Sequence, residues 1–189
     1  MRFEKGHKAA TRRHIVEVAS EKFRQDGIGA VGIAGLMAEA GLTHGGFYAH
    51  FDSKEDLVRE ALEAGFAASR LKTDAGLETL VKSYLRPAHR DAPSKGCVIA
   101  PLISEIARHP TETRAAFTAR LQSFLAKIEA QLPPTVAAES RAATAIGILG
   151  VMLGGLQMAR AVTDQTVSDA ILDASAAAAL QLAKQDVLF

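Results

Sequence analysis

Residues 36–57, LMAEAGLTHGGFYAHFDSKEDL, predict two short helices joined by a glycine turn and followed by a third helix with its own cap. Apolar residues recur at helical spacing at the start of this stretch, so the first helix is expected from Ile33 to Ala40. Gly41 should end that helix, because the left-handed conformation after a last helical turn costs glycine least.

The second helix is predicted to begin after its N-cap, Thr43, and to end near His50, which makes it only about two turns long. A helix this short buries little area of its own. A helix-turn-helix that presents this second helix to the major groove of DNA would explain why the helix is so short. The alternative is an ordinary helical hairpin whose glycines permit tight packing.

The residue types of the second helix suit contact with DNA. Gly45 and Gly46 each cost a helix about 0.8–1 kcal/mol relative to alanine, which indicates that a phosphate or base edge approaches the backbone closely. Phe47 and Phe51, four positions apart, are expected to anchor the inner face. The residues predicted here to bind DNA are Thr43, His44, Gly45, Gly46, Tyr48, His50 and Lys54.

The net charge is only +1, but basic residues cluster near the N-terminus. Against the lone acid Glu4, residues 1–16 carry Arg2, Lys5, Lys8, Arg12 and Arg13. We expect a basic arm ahead of the first helix that contacts phosphates or an adjacent minor groove, with Arg12 and Arg13 among the DNA-binding residues. The alternative is a solvated tail.

The segment GLTHGGFYAHFDSKEDL resembles the helix-turn-helix signature of the TetR family, and the resemblance extends from about Thr11 to Leu62. It implies a DNA-binding regulator that is dimeric, most often a repressor of a palindromic operator, and released by a small-molecule effector. Two positions depart from the family pattern. His44 stands where lysine is frequent, and Gly46 stands where serine or threonine is frequent, so the resemblance does not indicate the operator sequence.

The composition of the 189 residues indicates an all-α protein. Hydrophobic residues make up 48%, helical periodicity recurs almost throughout, and few runs alternate as strands do. Cys97 is the single cysteine, which excludes an internal disulfide and a zinc site made of several cysteines. No signal peptide is recognised, and the long apolar run 142–159 contains glycines and Gln157, so we expect a cytoplasmic protein without membrane contact.

Two domains are expected: residues 1–52 form the DNA-binding domain, and residues 53–189 form a helical domain for ligand binding and dimerisation. Helix 1 is expected from about Thr11 to Gln25. A helix capped by Ser53, with Asp56 in a capping-box position, should run to about Leu71 and connect the two domains. Further helices are expected near 76–90, 97–108, 112–132, 137–162 and 167–185.

The apolar helix near 137–162 contains glycines that are unfavourable in a helix interior unless another backbone approaches closely. A second subunit that packs its equivalent helices here would complete a four-helix bundle. Packing within the subunit is the alternative. The predicted interface residues are Gly147, Gly150, Gly154, Leu149 and Leu153.

The second domain is longer than dimerisation requires, and together with the resemblance this indicates an effector pocket. For each candidate a purely structural role in the core is an equal alternative. Few charges fall on the apolar faces, which favours an apolar or aromatic effector. The candidate lining residues are Phe66, Tyr84, Leu85, Cys97, Leu102, Phe117, Leu121, Phe124, Met152 and Gln157.

An enzyme is the competing class, and the sequence offers no catalytic pattern, phosphate-binding loop or cofactor motif for it. His44, His50, Asp52 and Glu55 lack the spacing of metal ligands, so no metal site is expected. Cys97 at a helix start could instead be a redox-sensing or electrophile-sensing thiol, or a buried small hydrophobe. A helical adaptor that does not bind DNA would require the 43–54 motif to be accidental.

Overall fold

The computed structural model describes residues 2–68 and 75–184, with side chains from residue 6 onward. These residues form helices and connecting turns without strands, so the all-α prediction is confirmed. The α-helices are α1 (Arg2–Asp26), α2 (Ile33–Glu39), α3 (Lys54–Ala67), α4 (Leu77–Tyr84), α5 (Pro87–Arg90), α6 (Ile99–Ile106), α7 (Thr111–Ala130), α8 (Arg141–Ala161) and α9 (Gln165–Leu182). Short 3-10 helices span His44–Ala49, Pro93–Lys95 and Ala138–Ser140.

The first helix is longer than the sequence predicted. α1 begins at Arg2 instead of near Thr11, so the basic arm continues the helix. Residues 2–10 contain no proline and include alanine, lysine, arginine and glutamate, all good helix formers. The side chains of Arg2 and Lys5, which belong to the predicted arm, lie outside the described set.

α3 connects the N-terminal helices with the rest of the molecule. The Ser53 hydroxyl caps it by accepting a hydrogen bond from the Asp56 amide at 3.1 Å. The Asp56 carboxylate pairs with Arg59, so only one half of the predicted capping box forms. α3 packs on α1 and also contacts α7, and its residues Leu57 and Val58 are buried. The predicted extension of this helix to Leu71 lies outside the described residues, and the domain boundary after residue 52 stays a prediction.

The helix expected near 76–90 is divided in two. α4 ends at Tyr84 and α5 starts at Pro87, which occupies the first helical position. Proline lacks an amide hydrogen and disfavours helical geometry in the residue before it, so a continuous helix cannot pass Arg86. The break places His89 and Arg90 in the core.

α8 and α9 form an antiparallel hairpin at the C-terminal end. Asp164 caps α9 by accepting hydrogen bonds from the amides of Thr166 and Val167 at 2.8 and 3.1 Å. The stretch Ala138–Ala161 is long and apolar enough to cross a membrane by length and composition. In the fold, one side of α8 is buried against α7 and α9 by residues such as Ile148 and Met152.

Candidate nucleic-acid interface and effector cavity

The turn before the 44–49 helix has the predicted geometry. Gly41 has a φ of +71°, the left-handed conformation that favours glycine. The amide of Leu42 donates to the Met37 carbonyl at 2.8 Å, which satisfies a free carbonyl at the end of α2. This turn fixes the direction in which the chain enters the 44–49 helix.

Thr43 occupies the N-cap position, but its hydroxyl makes no capping hydrogen bond. Its carbonyl instead accepts from the Gly46 amide at 3.0 Å, the shorter-range bond that starts a 3-10 helix. The Thr43 side chain is exposed and remains available for contact outside the subunit.

Two aromatic side chains anchor the 44–49 helix. Phe47 and Phe51 are buried and stack with ring centroids 5.3 Å apart. Between them, Tyr48 is 63% exposed. An aromatic side chain that exposed contributes little to the core, so the helix buries one face and presents Tyr48 with the exposed residues His44 and Ala49 on the other.

The fold itself does not require glycine at positions 45 and 46. A Cβ atom added to Gly45 would meet no described atom within 4 Å. At Gly46 it would meet Met37 and Thr43 at an ordinary contact distance of 3.7 Å. Neither residue has a positive φ. Both glycines therefore lack an explanation within the subunit.

Positive charge gathers beside the C-terminal end of the 44–49 helix. Burial lowers the pKa of His50, and the nearby charges of Lys8, Arg12 and His7 on α1 lower it further. The Arg12 guanidinium lies 4.2 Å from the centroid of the Phe51 ring and forms an ion pair with Glu60 of α3. The N-terminal part of α1 thus lies beside the 44–49 helix, and Arg13 of α1 is exposed.

Lys54 is partly committed inside the subunit. Its ammonium donates to the Ile28 carbonyl at 2.6 Å, which ties the start of α3 to the turn between α1 and α2. An ammonium carries three donors, so this bond leaves capacity for a phosphate. A role of Lys54 in DNA binding stays a prediction.

A cavity of about 460 Å³ lies between α3, α7 and the start of α6. Cys97, Val98, Ile99 and Phe124 form a buried apolar floor. The rim carries charged residues, which the sequence did not single out. The full lining is Glu63, Ala64, Phe66, Ala67, Cys97, Val98, Ile99, Arg120, Ser123, Phe124 and Lys127.

Three of the ten predicted ligand-binding residues, Phe66, Cys97 and Phe124, line this cavity. The other candidates lie outside its lining: Tyr84, Leu85, Leu102, Phe117, Leu121, Met152 and Gln157. Most of these pack in the core, whereas Gln157 is exposed and accepts from Arg160 at 3.4 Å. Periodicity identified buried faces but could not show which of them border a void.

An ion pair crosses the rim of the cavity. Arg120 of α7 donates through Nε to Glu63 of α3 at 2.9 Å and pairs with its second carboxylate oxygen as well. The side chains are 49% and 41% exposed. Exposed pairs contribute only about 0.2–1 kcal/mol, so this link between α3 and α7 is easily opened.

The Cys97 thiol lies on the cavity floor next to a buried polar cluster. The His89 ring accepts from the Cys97 amide at 2.9 Å through Nε2, so its Nδ1 carries the proton and donates to the Tyr84 carbonyl at 2.7 Å. Burial lowers the pKa of His89, which agrees with a neutral ring. Burial also raises the pKa of the Cys97 thiol, which keeps it protonated at neutral pH.

α8 and α9 both expose apolar side chains, including Val167 of α9, which is 47% exposed, and we call this surface the α8–α9 face. On α8, Ile146 is 59% exposed and Met158 is 54% exposed, with Gly150 and Gly154 between them. A Cβ atom at either glycine would meet no described atom within 4 Å. Leu153 is half-buried, whereas the predicted interface residue Leu149 points into the subunit's own core and is 3% exposed. Gly147 lies near Leu182 of α9, at 3.5 Å from an added Cβ.

Two carboxylates connect the N-terminal helices to the larger helical part, and sequence reasoning missed both. Glu105 of α6 accepts from the amides of Ile28 and Gly29 at 3.2 and 2.7 Å. Glu55 of α3 accepts from the Thr113 hydroxyl at 2.8 Å and bonds His109 Nδ1 at 2.9 Å. Partners this far apart in the chain leave no local sequence signal.

Comparison with known proteins gives a family match over part of the chain. Residues 15–61 match the model described as bacterial regulatory proteins, tetR family. The HTH-type transcriptional repressor KstR2 of Rhodococcus jostii (strain RHA1) is 34% identical over 85 residues, which cover 39% of this chain and 41% of that protein. The chain spans 25% to 42% of the length of the curated relatives it matches.

Solved structures agree with the fold over nearly the whole chain. The reduced form of Escherichia coli NemR has a TM-score of 0.73 at 19% identity and covers 91% of this chain and 96% of its own. AibR in complex with isovaleryl coenzyme A and operator DNA has a TM-score of 0.61 at 19% identity. The match covers 87% of this chain and 97% of that chain. At these identities the likeness shows the fold alone.

Proposed function

We propose that the chain, whose residues 15–61 match the model of bacterial regulatory proteins of the tetR family, is a member of that family and acts as a cytoplasmic, homodimeric, DNA-binding repressor that a small molecule releases from a palindromic operator. The observation that carries the proposal is the two-sided 44–49 helix. Its phenylalanines are buried, its outer residues are exposed, and its glycine pair has no role inside the subunit. A regulator is proposed in preference to an enzyme.

The α8–α9 face supports dimerisation. It is apolar, contains open space at Gly150 and Gly154, and belongs to two long helices that can pack on a second copy. A two-fold dimer carries two 44–49 helices. When these are about 34–36 Å apart they match successive major grooves, and the same symmetry makes the operator palindromic.

The cavity supports an effector role. It lies against α3, the helix that starts beside the 44–49 helix, so occupation of the cavity can tilt that helix. AibR, with the same fold, has been solved with both a small molecule and operator DNA, and the relative KstR2 is named a repressor. The first finding supports a small-molecule site in this fold, and the second supports repression.

Cys97 is the basis of a second candidate function, a thiol sensor, because it lines the same cavity. Its raised pKa argues against it, since the thiolate is the reactive form. Slow alkylation of the native protein by iodoacetamide at neutral pH, followed by mass spectrometry, is therefore expected. Rapid alkylation that also abolishes operator binding would favour the sensor.

An electrophoretic shift with the DNA upstream of the chain's own gene tests DNA binding. A sharp complex that depends on a palindrome and resists random competitor DNA is expected. Tyr48→Ala should weaken it, while Arg114→Ala, an exposed substitution on α7, serves as the control. Equal binding to specific and random DNA would contradict the proposal.

A further inference from the structure

We propose that the cavity between α3 and α7 takes an amphipathic anion, a compact apolar body that carries a carboxylate, sulfonate or phosphate group held by Arg120. The inference rests on the proposal that this cavity is the effector site. It narrows the expectation of an apolar or aromatic ligand to one that also carries a single anionic group.

The floor and the rim of the cavity differ in chemistry. Cys97, Val98, Ile99 and Phe124 supply an apolar, buried floor that suits a hydrocarbon or ring. Among the described lining residues, Arg120 and Lys127 are cations at the rim and Glu63 is the acid. A ligand with an apolar end and an anionic end matches both regions at once.

Arg120 is suited to change partners. Its planar guanidinium can donate two parallel hydrogen bonds to a carboxylate, sulfonate or phosphate, as it does to Glu63 in the free protein. The existing pair is solvent-exposed and contributes little, so exchange for a ligand anion costs little. A ligand anion at the edge of an apolar cavity is less hydrated than Glu63, which strengthens its bond to Arg120.

The exchange also connects binding to regulation. Glu63 belongs to α3 and Arg120 belongs to α7, so their ion pair joins the two helices across the rim. A ligand that takes Arg120 releases Glu63 and with it one link that holds α3 in place. An apolar compound without an anionic group would leave the link closed.

Paired fluorescent probes test this inference on the full chain without DNA. 8-Anilinonaphthalene-1-sulfonate and N-phenyl-1-naphthylamine share an anilinonaphthalene body, and only the first carries an anionic group. We expect the sulfonate to bind roughly tenfold more tightly or better, the ratio typical of one hydrogen bond to a charged group. Arg120→Gln should remove most of that ratio by weakening the sulfonate and leaving the neutral probe unchanged.

Three further variants separate the contributions. Glu63→Gln removes the competing carboxylate and should tighten the sulfonate several-fold, an estimate based on the weakness of exposed pairs. Ala67→Phe, at the exposed rim, should weaken both probes because it occupies cavity space. Arg114→Gln makes the same charge change on α7 outside the lining and should alter neither probe.

The outcomes are distinct from those of the DNA-binding test. Equal affinity of the two probes, no effect of Arg120→Gln, or no binding by either probe would each overturn the anion inference. None of these results would affect operator binding. Loss of specific operator binding would overturn the proposed regulator while a preference for the sulfonate still held.

Discussion

The carboxylate of Glu105 lies 2.7 Å from the amide nitrogen of Gly29, although 76 positions separate the two residues in the chain. Ile99, the first residue of α6, lines the cavity. Glu105, near the end of the same helix, contacts the turn between α1 and α2. Because this helix is short, we expect a displacement at one end to shift the other end as well. The contact offers a physical link between the cavity and the helix-turn-helix.

Glu105→Gln should loosen this turn. The amide group keeps the shape of the side chain but replaces one acceptor oxygen with a donor that faces the backbone amides. We expect the free energy of unfolding to fall by about 1.5–3 kcal/mol, the usual contribution of hydrogen bonds to a charged group. Hydrogen exchange at the amides of Ile28 and Gly29 should accelerate. Glu112→Gln, at an exposed position of α7, is the matched control, and unchanged exchange at both amides would refute the link.

Alanine at Gly45 or Gly46 should separate stability from DNA binding. The added methyl group finds open space or ordinary contacts, so the free energy of unfolding should hold or rise by up to about 1 kcal/mol. If DNA approaches the backbone closely, operator binding should weaken by about 1–3 kcal/mol, which is the usual cost of overpacking a tight contact. Gly35→Ala, also in open space, is the comparison. If both alanine variants keep full operator affinity, the glycine pair does not contact DNA.

Leucine at Gly150 or Gly154 should divide the dimer without unfolding the subunit. Neither site is crowded in the subunit, and leucine favours a helix over glycine by up to about 1 kcal/mol. Sedimentation should show monomers at concentrations where the unmodified chain is dimeric, with operator binding lost. Ala126→Leu on the exposed side of α7 should stay dimeric. Dimers from both glycine variants would place the interface elsewhere.

Acid should destabilise the fold through His89. Burial puts its folded-state pKa below the usual value of 6.5, so the unfolded chain binds more protons as pH falls below about 6.5. The free energy of unfolding should then decrease with falling pH, by at most about 1.4 kcal/mol per pH unit for this group. In chemical denaturation between pH 7 and 5, the free energy of unfolding of His89→Gln should depend less steeply on pH than that of the unmodified chain. His50→Gln measures how much His50, whose pKa is also lowered, contributes to this pH dependence. If the His89 variant has the same pH dependence as the unmodified chain, His89 is not the cause.

The all-α class and the helix-turn-helix were predictable because their causes are local. Gly41 needs only its own left-handed backbone to end α2, and Ser53 needs only the amide of Asp56, three residues away, to cap α3. The spacing of Phe47 and Phe51 likewise follows from one helical turn. Signals of this kind depend on neighbours along the chain, so the sequence shows them directly.

Only the tertiary structure determined which distant residues meet. The cavity lies where α3, α7 and the start of α6 meet, with Glu63 paired to Arg120 at its rim. Periodicity also predicted core residues such as Tyr84 as lining residues. Glu105 likewise reaches Gly29, since folding and not sequence spacing sets the distance. The physical cause is that packing of several helices decides which buried faces touch and which leave a space. The pattern of apolar residues in a single helix predicts only that one face of that helix is buried.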